Sequence, residues 1–338
     1  MRRTRTRPRA AATSAVMFAV LAVAGCSASD DSASASAQEG TSDTEPMVVG
    51  VTTLFPTGTL AEFAATLEAE GPKHNMVFDI QDVSNDAAKE DRFMSAFATK
   101  KVDLVMASVV SPTGSVAALN RLKTAGVPVI CYNTCVNAPD DQELTEAFVT
   151  NDQKELGTTT GEAAARYIEE NLGGSATVAY LTCETYEVCQ QRREGLDEAL
   201  SAVDADVVAA QEGFVVDKAT PVATSILAAN PDLDVFIAEN EDGVIAAANA
   251  IRARGNAGKT VVFGIGINPT VADLLLEPDG VVQQVTGQDA RTWALESIEI
   301  ARAIRDGEDP GEYYHLTPGP SFDRADPEPI REYLDVRD

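Results

Sequence analysis

From Met47 onward, short apolar runs alternate with segments of helical period. The runs are Met47–Thr52, Val77–Gln81, Val102–Ala107, Val127–Tyr132, Ala147–Thr150, Thr177–Thr182, Val207–Gln211, Val235–Ala238, Thr260–Ile265 and Val281–Thr286. Near-continuous apolar stretches of this length read as strands buried on both faces, which is how parallel sheets look in sequence. Between them, Leu60, Phe63 and Leu67 form one helical stripe and Phe93, Met94 and Phe97 another, while Asn151 to Leu172 and Asp289 to Asp306 are long enough for helices. Pro231, Pro269 and Pro310, each near Gly, Asn or Asp, punctuate the units as turn residues. Strand–helix alternation of this kind predicts the α/β class, with parallel sheets covered by helices on both faces. Ten strands fit two sheets better than one.

The pattern breaks down before Met47. Arg2, Arg3, Arg5, Arg7 and Arg9 precede an apolar, Ala-rich run from Ala10 to Ala24, the layout of a signal peptide over residues 1–25. That run is too short to span a bilayer. It ends in Val23-Ala24-Gly25-Cys26, which resembles a bacterial lipobox and implies that Cys26 is acylated and begins the mature protein. Residues 26–46, rich in Ser, Ala, Asp, Glu, Gly and Thr, have almost nothing to bury and are expected to form a flexible tether. The expected location is the outer face of the cell membrane, held by lipid alone.

Charge sharpens this division. The 338 residues carry 26 Lys+Arg against 53 Asp+Glu, a formal net charge of −27. Without residues 1–25, 21 basic residues face the same 53 acids, so the mature body carries −32. Such a surface argues against nucleic-acid partners, which require basic patches that displace counterions. Apart from Cys26 the cysteines are Cys131, Cys135, Cys183 and Cys189. Export makes disulfides the default, and local bridges Cys131–Cys135 and Cys183–Cys189 are expected. A bridge across the two halves or a four-thiolate metal site is the alternative; no metal is expected.

The segments Val48-Val49-Gly50-Val51-Thr52-Thr53-Leu54, Ala125-Gly126-Val127-Pro128-Val129-Ile130 and Asn230-Pro231-Asp232-Leu233-Asp234-Val235-Phe236-Ile237-Ala238-Glu239-Asn240-Glu241-Asp242-Gly243 stand in a telling order, with Phe322-Asp323-Arg324 to Tyr333-Leu334 as the tail. In this order the chain resembles the type I periplasmic binding proteins, in particular the ribose-binding-like branch serving sugar ABC importers. The resemblance implies two Rossmann-like lobes joined by three crossings near Thr150–Asp152, Gln288–Asp289 and Gly311–Tyr314. The first lobe would be residues 47–150 plus 289–310, and the second 151–288 plus 311–338. It also implies a monomer without cofactors that closes on a small ligand and serves a permease and ATPase. A sensory ligand-binding lipoprotein is the alternative on the same fold.

Ligands of doubly wound sheets sit beyond the carboxyl ends of the strands. Those positions hold Thr52, Thr53 and Phe55, then Asn133, and in the second lobe Gln190, Phe214, Asn240, Asn268 and Gln288. Short hydrogen-bonding groups with a few aromatic faces suit a neutral sugar or polyol. Against the family pattern, Phe214, Asn240 and Gln288 match a stacking ring, a ligand amide and a hinge amide, and Thr52 stands for a Ser. Asn133-Thr134 replaces an Asp-Arg pair, Gln190 an Arg and Gly266 an Asp. Each position also has a plain structural reading: Asn240 as a helix cap, Phe214 as core, Thr52 bonded to backbone. Trp293 is expected in interlobe packing rather than in ligand stacking.

An enzyme is not expected. Only His74 and His315 are available to activate a nucleophile, and they lie in a polar turn and in the terminal segment. Gly264-Ile265-Gly266-Ile267-Asn268-Pro269 ends in Pro and is not a dinucleotide fingerprint. Asn240-Glu241-Asp242-Gly243 lacks the first and twelfth ligands of a calcium loop, where Ala238 and Asn249 stand.

Overall fold

A computed structural model describes residues 45–335. The segment expected to be a signal peptide, most of the expected tether and Cys26, the expected lipidation position, lie outside them. The chain runs β1 (Met47–Thr53), α1 (Gly58–Glu70), β2 (Met76–Asp82), α2 (Ala87–Lys100), β3 (Leu104–Ala107), α3 (Val116–Ala125), β4 (Val129–Tyr132), α4 (Asp140–Leu144) and β5 (Ala147–Asn151). There follow α5 (Gln153–Leu172), β6 (Ser175–Thr182), α6 (Glu187–Leu200), β7 (Asp204–Glu212), α7 (Val216–Ala229), β8 (Val235–Ala238), α8 (Glu241–Arg254), β9 (Val261–Ile265), α9 (Pro269–Leu276) and β10 (Val282–Thr286). The last part holds α10 (Ala290–Asp306), β11 (Tyr314–Thr317), β12 (Ser321–Asp323) and α11 (Pro327–Asp335). No helix among the described residues is long and apolar enough to cross a membrane.

The strands form two six-stranded sheets, ordered β11-β5-β4-β3-β1-β2 and β12-β10-β9-β8-β6-β7. Every pairing is parallel except β10 with the antiparallel edge β12. The alternation led to the α/β class with parallel sheets, and the two lobes are those of the type I periplasmic-binding fold that the resemblance implied. Central strands such as β3, β4 and β8 are buried at every position, which is why they read as unbroken apolar runs. Trp293, on α10, is fully buried in the first-lobe core beside Phe63 and Ile298 rather than between the lobes, and its Nε1 donates to Thr317 Oγ1 at 2.9 Å.

The chain crosses between lobes three times, and two crossings lead directly into capped helices. The Asp152 carboxylate accepts from Glu155 N at the start of α5, and Asp289 accepts from Thr292 N at the start of α10. Such caps are each worth about 1 kcal/mol. The third crossing is later than the sequence places it. Tyr314–Thr317 pairs with β5, Phe148 N donates to Tyr313 O, and the Asn151 amide donates to Thr317 O, so these residues belong to the first sheet. The crossing is therefore Pro318-Gly319-Pro320, and only β12 and α11 return to the second lobe. A short, half-exposed edge strand carries little apolar signal, which explains the misplacement.

Candidate functional site

The second-lobe wall is set by the seam between α5 and α6. A β-carbon on Gly157 would overlap the Arg192 carbonyl oxygen, and one on Gly195 the Lys154 carbonyl oxygen, so the helices cross with their backbones in contact. This seam buries Arg192, whose Nε donates to Gln153 Oε1 at 2.6 Å and whose Nη1 donates to Glu239 O at 2.7 Å. The strand–helix turn after β8 supplies Asn240, which caps α8: its Oδ1 accepts from Gly243 N and its Nδ2 donates to Phe214 O. Glu241 and Asp242 follow in the first turn, where the helix dipole favours carboxylates.

Between the lobes lies a cavity of about 90 Å3. Phe55, Thr59 and Asn133 line it from the first lobe, Phe214, Asn240 and Glu241 from the second, with Gln288 at the second crossing and Arg192 behind. Thr59 Oγ1 donates to Glu241 Oε1 at 3.3 Å, and Tyr186 OH donates to Val110 O at 2.8 Å, so the lobes touch across the cleft. Glycine is required on both sides of the Glu241 carboxylate. A β-carbon at Gly58 would stand 2.8 Å from Oε1 and one at Gly266 2.5 Å from Oε2, each at positive φ.

The site is less neutral than the sequence suggests. Burial pushes the Glu241 carboxyl up and the Arg192 guanidinium down to about 10. Beneath them Glu239 has no exposed surface; its Oε2 accepts from Cys183 N at 2.7 Å and its Oε1 has no partner among the described residues. Burial pushes the Glu239 carboxyl up to about 8. The folded protein thus holds a proton that the unfolded chain releases near the ordinary value of 4.5. Between these limits the native state binds more protons, so stability falls as pH rises from about 4.5 to about 8. Glu239→Gln is expected to flatten that part of the profile. An unchanged slope in urea unfolding across this range would show that the carboxyl is not responsible.

The structure brings five of the sequence-expected residues to the cavity: Phe55, Asn133, Phe214, Asn240 and Gln288. Asn133 has φ 61°, and its amide donates to Ser108 Oγ at 3.1 Å. Asn240 lines the cavity and also caps α8, so its structural reading as a helix cap holds. Gln190 does not reach the cavity: it is exposed on α6 and donates to Glu184 O. Residues two apart on a helix face nearly opposite ways, so the inward position is Arg192. The buried stripe Val188, Arg192, Gly195 and Leu196 was the signal for it. Thr52 and Thr53 are buried within β1, where Thr53 Oγ1 donates to Phe55 O, and neither lines the cavity. Asn268 caps α9 by accepting from Val271 N. Thr59, Tyr186, Arg192 and Glu241 are the polar lining residues of greatest chemical weight among those outside the expected ligand-binding set.

Both local disulfides are present, Cys131–Cys135 and Cys183–Cys189, each with Cα atoms 5.5 Å apart. Loops this short still contribute about 2 kcal/mol each by restricting the unfolded chain. Cys183 and Cys189 lie near Glu239, but their sulfurs are consumed by the bridge and offer no thiolate. The bridged loop packs Tyr186 and Val188 into a hydrophobic cluster with first-lobe residues such as Val109 and Leu119. His74 and His315 lie against Glu299 and Glu296, outside the cavity lining.

Comparison with known proteins agrees with this geometry. The ABC transporter periplasmic-binding protein YphF of Escherichia coli is 37% identical over 192 residues, 56% of this chain and 59% of YphF. The Ribose import binding protein RbsB of the same species is 27% identical over 282 residues, 82% of this chain and 90% of RbsB. The fold matches an ABC transporter solute binding protein from Bacillus halodurans with bound myo-inositol, with TM-score 0.75 and 21% identity over 87% of this chain and 99% of that one. The family model described as "Periplasmic binding protein domain" matches residues 49–309, and the chain belongs to that family.

Proposed function

We propose that this chain is the extracytoplasmic solute-binding lipoprotein of an ABC importer, in the ribose-binding-like branch, closing its lobes on a sugar or polyol. The observation that carries this reading is the cavity itself, lined by the rings of Phe55 and Phe214 and by the amides of Asn133, Asn240 and Gln288, drawn from both lobes and a crossing. Rings cover the apolar faces of a polyhydroxyl ligand while amides take its hydroxyl groups. Arg192 and Glu241 add a donor and an acceptor stronger than any neutral group. Ligand contacts both lobes only when they are together, so it favours the closed arrangement and presents that form to the permease and ATPase. The work is binding and release, not turnover. Acylation of Cys26 would keep the protein at the membrane surface.

A thermal-shift screen of sugars, polyols and nucleosides tests the reading. A ligand present at about a hundred times its dissociation constant stabilises by about 2.7 kcal/mol, a rise of several degrees in Tm. No shift with any sugar or polyol would overturn the assignment.

A further inference from the structure

A second, larger cavity of about 350 Å3 opens on the hinge side of the molecule. It shares Thr134, Tyr186 and Val188 with the ligand cavity, but its remaining walls and its chemistry differ. Its ionisable groups, tyrosines apart, are all acids: Asp141 on α4, Asp152 at the first crossing and Glu187 on α6. None of the three forms a salt bridge among the described residues. Asp141 is only 3% exposed; its Oδ2 accepts from Tyr314 OH at 2.8 Å, and its Oδ1 has no partner among the described residues. Asn151 Oδ1, in the same wall, is likewise buried without a partner. A buried carboxylate without a counter-charge is costly, and a cation placed beside it removes that cost.

The other walls are aromatic. Phe148 and Tyr314 meet at 6.1 Å between centroids with their planes tilted by 54°, and Tyr186 stands on the second-lobe side. Tyr314 and Leu316 are among the few large apolar side chains left exposed, at 43% and 55%, and both line this cavity. Ring faces attract cations, and the acidic body of the protein adds a long-range field of the same sense. An anion would meet three carboxylates. A neutral polyol would leave Asp141 uncompensated.

We infer that the hinge-side cavity is a second binding site, for a small organic ammonium ion with an apolar body: its N–H groups face Asp141 and its carbon skeleton lies between Phe148, Tyr186 and Tyr314. Because both lobes and the first crossing contribute walls, the bound cation favours the arrangement in which those walls are assembled. It is thereby linked to ligand capture in the neighbouring cleft.

Calorimetric titration of the full chain with isopentylamine tests this, with 3-methylbutan-1-ol as the neutral isostere. Saturable binding of the amine is expected, absent for the alcohol, weakened at least tenfold by Asp141→Asn and by Tyr314→Ala, and unchanged by Asn240→Ala in the cleft. Tyr314→Ala also removes the hydroxyl that donates to Asp141 Oδ2. Leu316→Ala, 55% exposed, lining the same cavity and without a bond to Asp141, is therefore expected to weaken amine binding as well and decides the matter where changes at Asp141 and Tyr314 disturb the buried carboxylate. The proposal fails with no saturable heat for the amine, with equal binding of the alcohol, with full affinity retained in Tyr314→Ala or in Leu316→Ala, or with loss of amine binding in Asn240→Ala.

Discussion

Gly195→Leu is expected to lower Tm by about 4–8 °C, the largest stability loss of any single change considered. The added side chain must enter the space held by the Lys154 carbonyl and the Thr158 amide, both backbone groups of α5 that cannot rotate away. Overpacking of this kind costs about 3 kcal/mol. Leucine's better helix propensity returns only about 1 kcal/mol, so the clash wins. For a domain of this size each kcal/mol corresponds to about 2–4 °C. The same displacement carries Arg192 away from Gln153 and Glu239, so ligand binding falls along with stability. Thermal unfolding by circular dichroism is the measurement; a shift under about 2 °C would mean that the α5–α6 seam is not the tight contact described.

Phe214→Ala is expected to weaken capture of the cleft ligand by about 100-fold. The ring packs edge-on against Tyr186, with centroids 5.9 Å apart, and forms part of the cavity wall. Losing its contact with ligand removes about 2–3 kcal/mol, and each 1.4 kcal/mol is a factor of ten. Asn240→Ala should weaken binding comparably, but with a second signature. It also removes the cap on α8 and the bond to Phe214 O, a loss of about 1 kcal/mol in stability. Gln190→Ala, on the outer face of the same helix as Arg192, should leave affinity unchanged. Calorimetry on the three variants with the best ligand from the screen separates these cases. Equal affinity of Phe214→Ala and the unsubstituted chain would remove the ring from the site.

Eight of the ten strands legible in the sequence are buried at most positions, where apolarity is nearly continuous, while the exposed edges β2 and β7 were legible because they are seven and nine residues long. β11 and β12 escaped because they are short sheet edges: Tyr314 and Leu316 point to solvent, and Pro318, Gly319 and Pro320 separate the two strands. The cleft was legible at the strand ends that open into it, as at Asn133, Asn240 and Gln288, but not at Thr52 and Thr53, which stay buried within β1. It was not legible where helix phase decides, as with Gln190 against Arg192. Nor was it legible where a charge usually seen on a surface is buried by the opposite lobe, as with Glu241 beneath Gly58 and Thr59. Composition alone makes Glu241 one acid among 53; only the assembled lobes show that it faces a cavity.

The late position of β11 and β12 bears on how the chain is made. Each is the outermost strand of its sheet, β11 beside β5 and β12 beside β10, and both are translated after every other strand. Until residues 314–323 leave the ribosome, β5 and β10 remain open edges and neither sheet has its full set of strands. Pairing β5 with a strand more than 160 residues downstream also makes the topology slow to form. A nascent chain therefore completes neither sheet until both of these strands have been made.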